Sequence, residues 1–259
     1  MISLRSILRE IGSTLLFIGE VFRTGIKTPC RFEDIADQIW KVTVQSLPTT
    51  AVAGFFVGAI MTVQFTMQIK TFGALGYLGG LATSGTIREV GPLLIAFLLS
   101  GKVGAFTSAE LGTMQVTEQI DAIRCLGANP IQEIIVPRYI GIVISSFFLL
   151  TAGLFTSIFG GAIMGYFFAG INFQEYVRHI PTLVNSFSIF NGLFKCFVFA
   201  FVLASICTYN GYTTTGGAKG VGRAVVATAV TTMLGIVVAD WFTSFLTDAF
   251  LQVYLGDRL

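Results

Sequence analysis

Charge is what this sequence has least of. Only 12% of its 259 residues are Asp, Glu, Lys or Arg, against about 25% in soluble domains. The chain therefore lacks the usual means of remaining in water, which excludes an ordinary soluble domain. Histidine is rarer still: His179 stands alone, which argues against a histidine-based metal site. The four cysteines, Cys30, Cys125, Cys196 and Cys207, show neither metal-ligand spacing nor a paired pattern, so reduced, mostly buried thiols are expected. A net charge of +2 is too small to argue for nucleic acid, and no basic stripe with interleaved aromatics occurs. Alternation is missing too. The apolar runs are continuous, which excludes a transmembrane β-barrel.

What is present is apolar bulk. The chain is 54% hydrophobic, with 25 Phe and 29 Gly, which suit lipid-facing volume and close helix contacts respectively. The fold class expected is an all-α polytopic membrane protein. It would have about five transmembrane helices, an N-terminal interfacial amphipathic helix and a short cytoplasmic polar helix.

Along the chain, residues 1 to about 30 do not read as a signal peptide, because Glu10, Glu20 and Arg23 break the apolar stretch and no small-residue cleavage site follows. Ile7, Ile11, Ile18 and Phe22 fall near one helical face, with Arg5, Arg9 and Arg23 elsewhere. That pattern predicts a helix in the membrane interface, or a leader helix packed on the domain. Residues 1–45 form this N-terminal region, and 46–259 the transmembrane domain. The first span runs from about Ser46 to Phe72, with Gly54 and Gly58 as a small-residue pair for close approach. Gly73 to Thr86 reads as a tight outer turn or a short re-entrant piece. The second span is about Ile87 to Ala109, and a polar helix follows over about 113–126. The third begins after Arg138 and stays uncharged until Glu175, with Gly161 and Gly165 repeating the small-residue spacing. Ile171 to Ser188 is an outer loop, the fourth span is about Ile189 to Tyr209, Asn210 to Arg223 is a Gly- and Thr-rich loop, and the fifth span is about Ala224 to Leu251.

Lys and Arg in the connections set orientation. Arg5, Arg9, Arg23, Lys27, Arg31, Lys41, Arg124, Arg138, Lys219 and Arg223 collect on one side; Lys70, Arg88, Arg178 and Arg258 collect on the other. The N-terminus and the 110–138 and 210–223 segments are then cytoplasmic, and the C-terminus is outside. GGAKGVGR at 216–223 has glycines but lacks the Gly-Lys-Ser/Thr ending of a phosphate-binding loop, and no strand precedes it. Any ATP must be bound by a partner.

The stretch Ile87 to Arg138 also carries a resemblance. REVGP, SGKVG, AELGTMQVTEQIDA, NP and VPR, together with YNGYTTTGGAKGVGRAV at 209–225, resemble the signature of the MlaE/YrbE family of lipid-transporter permeases, over roughly residues 40 to 255. The resemblance implies a homodimeric subunit of an ABC transporter in the bacterial inner membrane, although a plastid relative would look similar. It would move phospholipids or related lipids to or from a periplasmic MCE-domain partner. ATP and Mg would lie on a separate ATPase subunit, with no cofactor in this chain. The resemblance assigns Arg88 and Glu89, with Met61, Phe65, Gln68 and Phe72, to a lipid pocket: Arg88 would meet a phosphate, held in place by Glu89. Gln68 departs from the apolar residue common at its position. It also implies that Thr117, Glu118, Gln119, Ile120 and Asp121 dock on the ATPase, with Ile120, Ile123 and Leu126 as an apolar side.

Lys102, Lys195 and Asp240 are ionisable residues set deep within spans. Asp240 is about 24 Å into the last span by helical rise. Pairing with Lys195, which is favoured, and a proton relay are both open. An ion-coupled secondary transporter using Glu89, Lys102 and Asp240 is the competing reading. It is disfavoured because five spans give no even inverted repeat. A membrane anchor is the third class, and it would not need a charged rim.

Overall fold

The computed structural model describes residues Leu4–Lys27 and Arg31–Leu255, and every regular element among them is helical. Cys30 and Arg258 lie outside the described residues, as do the side chains of Arg5 and Ile7. The α-helices are α1 (Leu4–Lys27), α2 (Phe32–Ile69), α3 (Leu78–Gly85), α4 (Gly91–Leu99), α5 (Ala105–Val116), α6 (Gln119–Cys125), α7 (Val136–Met164), α8 (Phe173–Arg178), α9 (Ile180–Leu183), α10 (Ser186–Tyr212) and α11 (Gly217–Leu255). Among the described residues, five stretches are long and apolar enough to cross a membrane: Phe32–Phe72, Leu75–Val116, Ile131–Ala169, Ser186–Tyr212 and Gly217–Ala249. The protein is an all-α polytopic membrane protein.

The helices overrun the apolar runs that announce them. The first starts at Phe32 rather than Ser46, the third at Ile131 rather than after Arg138, and the fifth at Gly217 rather than Ala224. Helical hydrogen bonding is indifferent to polarity, so an uncharged run marks the part that can sit in lipid, not the part that is helical. Of the two expectations for 73–86, a tight outer turn or a short re-entrant piece, the tight turn is not found: the stretch is mostly α3, entered through two 3₁₀ turns, Lys70–Phe72 and Leu75–Tyr77. The expected loop 210–223 shrinks to Thr213–Gly216. Positive φ at Gly216 and Gly217 (91° and 62°) makes that reversal in little chain.

Four π-turns interrupt the spans, at Thr86–Val90, Ser100–Gly104, Ile131–Ile135 and Gly165–Ala169. Two of them end two residues before a proline, Pro92 and Pro137. A proline ring clashes with the carbonyl four residues back and removes one helical N–H. Widening the preceding turn, so that Gly91 N–H reaches Thr86 O and Val136 N–H reaches Ile131 O, lets each helix pass its proline.

The chain divides into two compact units. The first comprises Met1–Thr43, Ser100–Ser145 and Ala200–Leu234. Here α1 buries Phe17 and Val21. Phe17 packs on the rings of Tyr209 and Tyr212, and Ser13 shares a 2.6 Å hydrogen bond with the Tyr209 hydroxyl. Phe22, on the stripe anticipated from sequence, touches Tyr139 and Phe201 yet stays 46% exposed. Buried hydroxyl pairs, Tyr139 with Ser205 (3.0 Å) and Thr228 with Ser108 (2.9 Å), join helices where lipid offers no other partner.

The second unit comprises Val44–Leu99, Ser146–Phe199 and Gly235–Leu259. Close approach of α2 and α7 organises it. A Cβ at Gly54 would meet the Gly153 carbonyl, one at Gly58 the Ser157 carbonyl, and one at Gly160 the Phe55 carbonyl. Gly161 and Gly165 serve another purpose, making room for Tyr176 from α8. Tyr176 is buried and shares a 3.1 Å hydrogen bond with Thr62. Burial raises the pKa of its phenol.

Candidate functional site

The second unit gathers its charge on one buried ammonium. The π-turn at Thr86–Val90 carries Arg88 and Glu89, α10 carries Lys195, and α11 carries Asp240, Ser244 and Asp248. The last three recur every fourth residue, so they line one face of α11. The Lys195 side chain has no exposed surface; its Nζ lies 2.8 Å from Glu89 Oε2 and 2.9 Å from Asp240 Oδ1. It also donates to Ser244 Oγ at 2.7 Å. The Asp240 contact is an ion pair too oblique for a hydrogen bond. Ser244 in turn donates to Glu89 at 3.3 Å. One turn away on α10, Asn191 accepts from Thr247 at 3.0 Å. A charge withdrawn from water this completely is tolerable only when paired and hydrogen-bonded, and Lys195 is both. The favoured pairing of Asp240 with Lys195 is therefore present.

Arg88 and Glu89, although adjacent, take different partners. Glu89 is expected to hold Arg88 in place; it bonds Lys195 instead, while Arg88 Nη2 stands 3.8 Å from Asp248 Oδ1. The side chains of Arg88 and Asp248 are 39% and 67% exposed, so this pair is loose and weak. Arg88 is thus free to exchange Asp248 for another anion. Met61 and Phe65 pack within 3.4 Å of the Cβ position of Gly85, one turn before Arg88. Of the expected apolar wall, those two are brought to the charged turn. Gln68 is exposed, and Phe72 is 84% exposed at the end of its 3₁₀ turn.

The first unit inverts the arithmetic. Glu110 bonds the Lys41 ammonium through Oε1 and faces Arg138 Nη2 at 3.5 Å through Oε2. Arg138 is buried, and its Nε and Nη1 have no hydrogen-bond partner. A cavity of about 350 Å3 opens beside Glu110 and Arg138, walled by Phe106 and Met114. Lys102, half-buried in its own π-turn, belongs to this unit and not to the one holding Glu89 and Asp240. Lys219 and Arg223 line an open groove on the first turns of α11.

The polar helix expected over 113–126 is two pieces. α5 runs on to Val116, Thr117 leaves helical geometry, and Glu118 takes the left-handed conformation at φ 61°. Among the described residues it is the one non-glycine with positive φ, a strained choice of about 1–2 kcal/mol for an L-residue. α6 then carries Gln119, Ile120 and Asp121. Ile120 is fully buried within the unit, so it anchors α6 and is not available to a partner; Leu126 is 84% exposed. Asp121 accepts from Arg124 at 2.9 Å, and Arg124 donates to the Tyr212 hydroxyl at 2.6 Å. The hydrogen bond to Tyr212, and then Asp121, raise the Arg124 pKa. The outward side of this element is therefore Thr117, Glu118, Gln119 and Leu126.

Sequence reading missed Ser244 and Asp248, whose four-residue spacing from Asp240 is a usable signal. It also missed the meeting of Lys41, Glu110 and Arg138, for which it carries none.

The family profile described as permease MlaE matches residues 35–246, which takes in every residue of both charge clusters except Asp248. The chain belongs to the MlaE permease family. A probable ABC transporter permease protein of Rickettsia conorii is 31% identical over 95% of this chain and 93% of its own length. The chloroplastic protein trigalactosyldiacylglycerol 1 of Arabidopsis thaliana is 30% identical over 95% of this chain and 69% of its own length. The intermembrane phospholipid transport system permease protein MlaE of Haemophilus influenzae is 29% identical over 81% of each chain. Within this family the chain is a membrane permease, and its charge clusters are parts of a transport subunit.

Proposed function

We propose that this MlaE-family permease is the membrane subunit of an ABC transporter that moves phospholipids or related lipids. It works with a separate ATPase that holds ATP and Mg, and with an MCE-domain partner. The observation that carries the reading is the π-turn at Thr86–Val90. It presents Arg88, loosely held by Asp248, beside Met61 and Phe65, while Lys195 anchors the neighbouring Glu89. A cation next to apolar side chains suits a phosphate with acyl chains attached. The names of the Haemophilus and Arabidopsis relatives, which speak of phospholipid and glycerolipid, favour the same class. Thr117, Glu118, Gln119 and Asp121, held in place by the buried Ile120, are the residues we assign to the ATPase contact.

The excess of Lys and Arg on one side favours a cytoplasmic N-terminus, and the family favours a bacterial inner membrane. A homodimer is supported by α11. Only 17% of its apolar window is buried within the chain, against 39% to 50% for the other spans, and it exposes Val226, Val230, Leu234, Val237, Val238 and Trp241.

A second reading is favoured by one observation, the buried Lys195 between two carboxylates, which could pass a proton. Purification of the chain from its native membrane separates the two. An ATPase and an MCE-domain protein that co-purify, with phospholipid bound, are expected. A lone chain whose transport follows pH and ignores ATP would replace the proposal with an ion-coupled transporter.

A further inference from the structure

Apart from the residues of both charge clusters, α1 and the turn that opens the third span frame an open polar cavity of about 320 Å3 lined by Glu20, Arg23, Thr24, Lys27, Asn129 and Gln132. That volume falls at the lower end of small-ligand sites, about 300–1,000 Å3. The three stripes of α1 explain how the cavity forms. Phe17 and Val21 are buried in the first unit. Glu20, Arg23, Thr24 and Lys27, at i, i+3, i+4 and i+7, share a second face and look onto Asn129 and Gln132. Ile11, Leu15, Phe22 and Ile26 form a third face, 53%, 63%, 46% and 83% exposed. In a chain that spans a membrane, a helix with one such apolar face outward lies against lipid.

We propose that this cavity seats the headgroup of an anionic phospholipid. Its phosphate lies between Arg23 and Lys27, and its acyl chains leave along Phe22 and Ile26. Two cations and one carboxylate line the site, a net charge of +1 that complements one negative headgroup. Among the described residues no ion pair within 4 Å occupies Glu20, Arg23 or Lys27. Asn129 spends its Oδ1 on the Ile131 N–H at 3.0 Å, which leaves its amide N–H groups to donate to phosphate or headgroup oxygens. Glu20 and Gln132 accept from headgroup hydroxyls. A zwitterionic headgroup matches less well, since its ammonium would face two cations with Glu20 alone to offset them. A bound lipid here ties α1 to the bilayer and to the third span, and stabilises the folded chain by mass action. The inference rests on membrane insertion and on α1, and is independent of the lipid that Arg88 is assigned.

The test uses the full-length chain in phosphatidylcholine nanodiscs containing a minor fraction of either phosphatidylglycerol or phosphatidylethanolamine. Lipid retained on release is counted by native mass spectrometry. Wild type is expected to retain phosphatidylglycerol selectively, and the Arg23→Gln/Lys27→Gln double variant to lose it roughly tenfold, as for loss of charge-assisted contacts. A second variant, Asn129→Asp/Gln132→Glu, leaves α1 untouched and should lose it as well. Lys219→Gln/Arg223→Gln removes the same charge elsewhere and should retain it. Four results would overturn the proposal: equal retention by the α1 variant and wild type, equal retention by the Asn129/Gln132 variant and wild type, equal retention of phosphatidylethanolamine, or equal loss in the Lys219/Arg223 control.

Discussion

In the first unit one carboxylate, Glu110, serves two cations, Lys41 and Arg138; in the second, one cation, Lys195, serves two carboxylates, Glu89 and Asp240. The buried centre of gravity is a cation in both, Arg138 or Lys195, and the more exposed members differ in sign. Lys195 donates hydrogen bonds to Glu89 and Ser244 and forms an ion pair with Asp240, so its charge is fully matched. Arg138 keeps two guanidinium nitrogens, Nε and Nη1, without hydrogen-bond partners. Burial of the cation alone thus does not decide how tightly a cluster is built. The second is closed around its cation, while the first leaves hydrogen-bonding capacity in reserve beside a cavity.

The comparison can be broken most severely at Lys195. Lys195→Met leaves Glu89 and Asp240 facing each other without a counter-charge, and removing one side of a buried pair costs about 3–5 kcal/mol. A large fall in the thermal unfolding midpoint of the purified chain is expected. Adding Glu89→Gln and Asp240→Asn should return most of it, because an uncharged cluster has no pairing to lose. If the triple variant is no better than Lys195→Met, packing around Lys195 and not its charge is what matters.

Glu110→Gln should cost less, about 1–3 kcal/mol, since Lys41 and Glu110 are 38% and 29% exposed and water can replace part of the pairing. The same midpoint measurement checks it. A loss as large as that of Lys195→Met would erase the distinction between a closed and an open cluster.

Glu118→Lys/Asp121→Lys should leave the fold nearly unchanged, because both side chains lie outside the packed core. Retention of the ATPase through purification should fall, as reversed charge at a desolvated contact costs about 2–5 kcal/mol. Full retention of an active ATPase would make this turn a solvated face.

The two clusters were unequally legible. Lys195 and Asp240 stand out as lone charges in apolar runs, and a buried charge implies a partner, so their pairing could be anticipated. Glu110 and Arg138 lie at the ends of such runs, where a charge is already explained by the membrane surface, and their partners come from distant segments. The spans themselves were legible because lipid demands unbroken apolar runs. The helix ends were not: α2 carries Glu33, Asp34, Asp37 and Lys41 before its apolar part begins, and hydrogen bonds continue regardless. The break at Glu118 was hidden for a different reason. No Gly or Pro marks it, and left-handed geometry at a glutamate is invisible to propensity.

Arg88→Glu tests the lipid assignment most directly. Its pair with Asp248 is exposed and worth no more than about 1 kcal/mol, so the variant should fold and assemble as wild type does. Bound phospholipid per purified complex is the quantity to measure, with Lys219→Glu as the control that changes surface charge elsewhere. The account predicts that Arg88→Glu loses its bound lipid and Lys219→Glu keeps it. Unchanged lipid in a folded Arg88→Glu complex would contradict it, and would leave Arg88 as a side chain that merely reaches for the headgroup layer.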